Sequence, residues 1–235
     1  MRSYRYIDIV TAVFVAVLLL SNIASSAKIL DWGVSLFGLP LAFDAGTLLF
    51  PVSYVFGDIL TEVYGYARAR RVIWIGFACA LLMSAMFALV DFLPGEALWQ
   101  EQVGDHAYRA VLGSVGSGAI ILASVLAYLL GEFSNSFVLA KMKVAMEGRF
   151  LWMRTIGSTL IGEGFDTVAF IFIACALGVF PWAIALSLIV ANYVFKVGVE
   201  VLATPITYTV VGFLKRAEAE DYYDRTTDFN PFHLR

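Results

Sequence analysis

The sequence predicts an all-α, polytopic membrane protein of six transmembrane helices with both termini cytoplasmic, and three observations carry that fold class. Sixty per cent of the 235 residues are hydrophobic, only 15% are charged, and the mean hydropathy is +0.81, whereas an ordinary soluble domain is about 25% charged. Two uncharged runs, residues 72–90 and 110–131, are each long enough to cross a bilayer unaided, since roughly 20 apolar residues span a hydrocarbon core of ~30 Å. A third run, residues 167–195, is too long for one span and is broken at Gly178-Val179-Phe180-Pro181, so it reads as two helices joined by a tight turn.

Taken in order, the spans are residues 7–27, 45–64, 72–90, 113–140, 155–177 and 182–211. They form one transporter domain over residues 1–214, followed by a cytoplasmic tail at 215–235. At the start, Arg2 and Arg5, an apolar stretch at 9–20 and Ala24-Ser25-Ser26-Ala27 imitate a cleavable signal peptide. Everything downstream spans the membrane too, and a first helix with a positive flank serves as its own insertion signal. Spans two and six have uncharged stretches, 45–57 and 201–214, too short to cross. Each must therefore take charge into the membrane, and Pro51 and Pro205 predict kinks that neighbouring helices or water would have to satisfy.

The loops set the orientation. Arg2, Arg5, Arg68, Arg70, Arg71, Lys141, Lys143, Arg149, Arg154, Lys215, Arg216, Arg225 and Arg235 fall on one side of the threading. The other side holds only Lys28 and Arg109, with acidic Glu96, Glu101 and Asp105. The positive-inside rule places the basic side in the cytoplasm. Cys79 and Cys175 lie in apolar runs, which argues for inert core residues rather than a disulfide framework or a metal site. A short internal echo links Gly131-Glu132-Phe133-Ser134-Asn135-Ser136 with Gly162-Glu163-Gly164-Phe165-Asp166-Thr167, and repeats are common in transporters.

Polar residues inside the spans are the candidate machinery: Asp58 and Glu62, Glu132 and Asn135, Glu163 and Asp166, then Asn192, Lys196 and Glu200. A charge at the bilayer centre costs ~2.5–3.5 kcal/mol even on the lenient insertion scale, so such groups usually face a bundle interior or a wet cavity. The three- and four-residue spacings put each set on one helix face. The plainer readings are that Glu62 and Glu200 reach the headgroups, that Lys196 and Glu200 form a structural ion pair, and that Asn22 only bonds a neighbouring helix. Asp58, Glu132, Asn135, Glu163, Asp166 and Asn192 are taken as substrate-binding candidates, with Asn22, Glu62, Lys196 and Glu200 in gating or coupling positions.

Enzymatic classes fit poorly. The histidines, His106 and His233, lie in a loop and the tail, so no intramembrane serine protease or zinc site can be assembled, and no G-x-x-x-x-G-K-[ST] is present for a P-loop. No catalytic residue, metal or cofactor is predicted. A channel would favour rings of like charge or a carbonyl-lined filter, whereas mixed Glu, Asn, Lys and aromatic residues suit a binding site for a small polar solute. Tyr54, Phe56, Phe133 and Phe165 lie beside the carboxylates in sequence and are positioned either to stack on a planar ligand or simply to pack.

At these residues the chain resembles the queuosine precursor transporter family, a branch of the vitamin uptake transporters. The resemblance rests on Ser21-Asn22, on Phe43-Asp44-Ala45-Gly46 leading to Pro51 and Ser53-Tyr54, and on the block Gly57-Asp58-Ile59-Leu60-Thr61-Glu62-Val63-Tyr64-Gly65-Tyr66 with Ala69-Arg70. It continues through Gly131-Glu132, Asn135-Ser136, Ser158-Thr159, Gly162-Glu163, Asp166-Thr167, Asn192-Tyr193, Lys196, Glu200 and Pro205 to Asp228-Phe229-Asn230-Pro231-Phe232. It implies import of 7-cyano-7-deazaguanine and 7-aminomethyl-7-deazaguanine across the bacterial inner membrane for tRNA queuosine modification, with membrane lipid and the small molecule as partners and no direct nucleic acid contact. Another vitamin, a nucleobase-like solute or an ion is the alternative cargo. The family is similar in size and span number to the substrate-binding subunits of energy-coupling-factor importers. Coupling to protons, to an ATPase partner or to intracellular trapping therefore stays open, as does a homo-oligomer. A guanine-like edge presents a ring N–H beside an exocyclic amine, which a carboxylate accepts as two parallel hydrogen bonds. Asn amides suit the ring carbonyl, and a second carboxylate suits an aminomethyl cation.

Overall fold

The computed structural model describes residues 4–36, 39–116, 118–178 and 181–233. Helix α1 (Ile7–Ala27) leads into a hairpin of β1 (Ile29–Leu36) and β2 (Leu39–Asp44) and a 3-10 turn, Ala45–Leu48. Then come α2 (Phe50–Tyr64), α3 (Tyr66–Phe92), α4 (Ala97–Gln102), α5 (Gly104–Gly116), α6 (Gly118–Ala145), α7 (Leu151–Ala176), a second 3-10 turn at Trp182–Ile184, and α8 (Ala185–Glu218). The predicted first span has the bounds of α1. The helices of the other spans differ from expectation mainly at their ends, where α3, α6 and α8 run on past the apolar run because a helix ends at a cap, not at the lipid boundary. Of the predicted break, Gly178 lies in the turn that follows α7 and Pro181 precedes the second 3-10 turn, whereas Val179 and Phe180 lie outside the described residues, as do Arg2 and Arg235 of the basic set.

Among the described residues, five helices are long and apolar enough to cross a membrane: α1, α3, α6, α7 and α8. The sixth predicted span, α2, has 15 residues, about 22 Å of helix, short of the ~30 Å core. Its ends explain why. Pro51 sits in the first turn, where its missing N–H costs no hydrogen bond, so it starts the helix rather than kinking it. Gly65 ends it at φ 86° and ψ 163°, a conformation open essentially to glycine alone, and α3 begins at the next residue. Pro205, by contrast, lies inside an uninterrupted α8. The hairpin was not anticipated; it pairs Ile29 with Asp44 and Leu36 with Leu39, so the link from α1 to α2 is a two-stranded ribbon.

Contacts fix the threading. Tyr128 Oη donates to the Ile73 carbonyl and Tyr108 Oη to the Phe87 carbonyl, so α5 and then α6 run antiparallel to α3. Both termini gather at one end: Tyr4 Oη donates to Glu220 and the Arg5 N–H to Glu218. The segment after α8 folds back over that end. Asp224 accepts the Tyr66 N–H, and Arg70 and Trp74 donate to the carbonyls of Asn230 and Pro231 at 2.6 and 2.8 Å. Leu82, Leu186, Leu202 and Ile206 stand on the outer surface, as expected of helices solvated by lipid chains.

Helix α2 is the inner element, with 12 of its residues buried. One stripe, Val55, Ile59, Leu60 and Val63, joins Phe14 and Leu18 of α1 and Val72 and Ile73 of α3 in the apolar core. Its other stripe carries Tyr54, Asp58, Thr61 and Glu62, all fully buried, and faces α6, α7 and α8. The same short helix thus completes the apolar packing on one side and delivers charge to the interior on the other.

Candidate functional site

The internal echo turns out to be a helix crossing. A Cβ on Gly131 would stand 2.7 Å from Cβ of Asp166, and one on Gly162 would stand 2.7 Å from Cβ of Asn135. Each glycine therefore lies against the residue four positions beyond the other. The two Gly-Glu-x-x-Asn/Asp segments meet antiparallel, with near-reciprocal contacts. In lipid the hydrophobic drive between helices is weak, and small residues that admit close backbone approach hold helices together. Gly57 on α2 serves the same end, since a Cβ there would lie 2.8 Å from Glu132 Oε2.

Around this crossing the carboxylates converge from four helices. Asn135 donates its amide to Asp58 Oδ1 at 2.7 Å. Lys196 of α8 reaches Asp166 Oδ2 at 2.5 Å and Glu163 Oε2 at 3.0 Å, and its ammonium lies 4.7 Å from the centre of the Phe50 ring. Glu132 is within electrostatic range of Glu163, Asp166 and Glu200, and Asp58 of Glu200 and Glu132. Among the described residues, five carboxyl groups thus gather around the ammonium of Lys196 in this cluster. Several polar atoms there are buried with no hydrogen-bond partner among the described residues: both oxygens of Glu200, Asp58 Oδ2, Glu163 Oε1, Asn135 Oδ1 and the Tyr54 hydroxyl, while the Ser53 hydroxyl lies beside the Glu132 carboxyl. Buried polar atoms are ordinarily paired, so a surface of unmet acceptors suits a ligand rich in N–H donors.

The model of the putative vitamin uptake transporter family matches residues 44–210, which hold every residue of this cluster. The chain belongs to that family. A probable queuosine precursor transporter of Bacillus subtilis is 29% identical over 178 residues, covering 74% of this chain and 73% of the relative. The queuosine precursor transporter of Escherichia coli is 27% identical over 152 residues, 65% of this chain and 63% of its own length. No solved structure matches. As a member of a vitamin uptake transporter family, the chain is a multi-pass membrane transport protein rather than an enzyme. The described residues hold no group of three or more His, Cys, Asp or Glu side chains placed to bind a metal ion.

Not all candidates join the cluster. Glu62 belongs to a second network nearer the termini, accepting from Arg154 at 2.7 Å and Lys215 at 2.6 Å, with Lys143 at 3.6 Å. Asp221 of the tail completes it, bonding Lys143 and Lys215. Burial alone would raise the Asp221 carboxyl, but those two ammonium groups hold it below its ordinary range. Asn22 donates to the Leu18 carbonyl and accepts from Ser124, clipping α1 to α6. Asn192 is half-buried, donates to Leu188 and accepts from Thr47 at 3.4 Å, one turn from Lys196 towards the hairpin. The plainer reading of Lys196 and Glu200 as an ion pair does not hold: the ammonium turns to the two α7 carboxylates instead, two opposite charges outweighing one.

The aromatic expectation divides. Tyr54 is fully buried at the crossing. Phe133 packs on Trp74 of α3 with ring centres 5.8 Å apart, Phe56 packs against the apolar core, and Phe165 lies on the outer surface, 55% exposed. Helical geometry accounts for Phe165: residue i+2 sits about 200° around from Glu163, while Asp166 returns to its face. Phe50, absent from the expected set, is the ring beside the Lys196 ammonium, and its spacing of four from Tyr54 puts the two on one face of α2.

Proposed function

We propose that this protein imports 7-deazaguanine queuosine precursors, 7-cyano-7-deazaguanine and 7-aminomethyl-7-deazaguanine, across the bacterial inner membrane. In this reading α2 is the sixth crossing, both termini and residues 215–235 face the cytoplasm, and the transport unit is 1–214. Asp58, Glu132, Asn135, Glu163, Asp166 and Asn192 line the substrate site, with Asn22, Glu62, Lys196 and Glu200 bearing on gating or coupling. The observation that carries the proposal is the set of buried, unpartnered acceptor oxygens on α2, α6 and α7 beside the helix crossing. A guanine-like edge offers parallel N–H donors to a carboxylate, a charge-assisted pairing that gains strength where water is excluded. The names of the two relatives, a probable queuosine precursor transporter and a queuosine precursor transporter, support the same cargo.

The test is genetic and direct. In cells that cannot make the precursor but are fed it, the wild-type chain restores queuosine in tRNA. Asp58→Asn, Glu132→Gln and Glu163→Gln each reduce restoration by tenfold or more at equal membrane abundance, since each exchanges a charged acceptor for a neutral amide, a loss of about 1.5–3 kcal/mol. Restoration by all three at the wild-type level would refute the site assignment, and no restoration by the wild type would refute the cargo.

A further inference from the structure

Glu200 stands apart within the cluster. Its carboxylate is fully buried on α8, both oxygens lack a hydrogen-bond partner, and the groups that bear on it electrostatically, Glu163, Asp58 and Glu132, are acidic. The cation one turn away, Lys196, is engaged with Asp166 and Glu163 on α7. A buried carboxylate with acidic neighbours and no base is a strong attractor for a positive charge. A second, independent feature points to a ligand that is more than a simple cation. The Tyr54 hydroxyl and Asn135 Oδ1, both in fully buried side chains, are also unpartnered, so the same interior retains places for a neutral polar edge.

Resting on the cargo proposed above, we infer that Glu200 receives the cationic substituent of the substrate and is the specificity-determining residue that favours the aminomethyl base over the cyano base. The two cargoes share the ring edge and differ at one position, where one presents an ammonium and the other a nitrile with no donor. An ammonium placed against Glu200 forms a charge-assisted pair with it, whereas a nitrile, an acceptor with no donor hydrogen and no charge, offers the carboxyl no such partner. Discrimination of this kind, in which the wrong ligand leaves a buried polar group without its partner, is the strongest a binding site achieves.

The experiment measures uptake of both labelled bases by the full chain in proteoliposomes and takes the ratio of their apparent affinities. Wild type prefers the aminomethyl base, and in Glu200→Gln the ratio of aminomethyl to cyano affinity falls about tenfold or more. Glu200→Asp, which keeps the charge, restores most of the preference. A ratio unmoved by Glu200→Gln, whatever the fall in absolute rate, overturns the inference while leaving the cargo intact. Wild type that carries neither base overturns the cargo and this inference together. Should Glu200→Gln fail to reach the membrane, wild type itself carries the test. The aminomethyl base then competes about tenfold better than its neutral hydroxymethyl isostere, and equal competition overturns the assignment.

Discussion

Replacing Gly162 by alanine tests whether the α6–α7 crossing organises the site. The added Cβ would lie 2.7 Å from Cβ of Asn135 and 3.0 Å from the Gly131 carbonyl oxygen, against an ordinary separation of about 3.5–4.0 Å between carbons. Neither neighbour is the free end of a flexible side chain, so the helices must part by about 1 Å. Overpacking of this order costs about 1–3 kcal/mol. For a chain of this length each kcal/mol shifts the melting temperature by about 2–4 °C, so Gly162→Ala lowers Tm by about 2–12 °C. The internal control is Gly198, in the middle of α8 with nothing within 4 Å of a Cβ built there. Gly198→Ala relieves only helix-propensity cost, about 0.5–1 kcal/mol, and raises Tm. Intrinsic fluorescence melts of the detergent-purified variants read both. A Gly162→Ala melt at or above wild type, or shifts of the same sign in the two variants, refutes the close-approach argument.

Two further outcomes follow from the second network and the tail. Glu62→Gln removes the carboxylate shared by Arg154, Lys215 and Lys143 and leaves buried cations short of charge, which costs about 3–5 kcal/mol; purified variant melting within a degree of wild type would show the network to be dispensable. Docking of the tail is pH-dependent in a defined direction. Lys143 and Lys215 hold Asp221, and the His233 imidazole and Asn230 N–H hold Asp228, below the ordinary carboxylate range. Groups with depressed folded values contribute stability that is complete above the unfolded value, about 3.9, and is lost as pH falls through the folded one. The tail therefore stays docked from neutral pH down to about pH 4 and releases below it. Trp74, whose indole donates to the Pro231 carbonyl, reports the change by fluorescence, and a transition centred near neutrality would contradict this origin.

Sequence alone reached the membrane class, five of its six expected spans as long apolar helices, and the burial of the polar residues. Asp58, Glu132, Asn135, Glu163, Asp166, Lys196 and Glu200 are all buried, as the cost of exposing them to lipid requires. Those conclusions depend on composition and on local spacing, and both are written in one dimension. Two further details were within reach of the same rules, the outward rotation of Phe165 and the start of α2 at Pro51.

Which helix face meets which was decided only in three dimensions. Three- and four-residue spacing put Asn192, Lys196 and Glu200 on one face of α8, yet it could not show that Lys196 would turn to Glu163 and Asp166 on α7 and leave Glu200 unpaired. The spacing likewise grouped Glu62 with Asp58, while the basic residues supplied by α6, α7 and α8 drew it into a separate network that Asp221 of the tail completes. The echo between the segments at Gly131 and Gly162 was visible as a string of residues, but its meaning is a contact between atoms 31 positions apart in the chain. Helical periodicity sets direction around a single axis. The energy of an ion pair or a glycine contact depends on distances between axes, and only the packed structure supplies those.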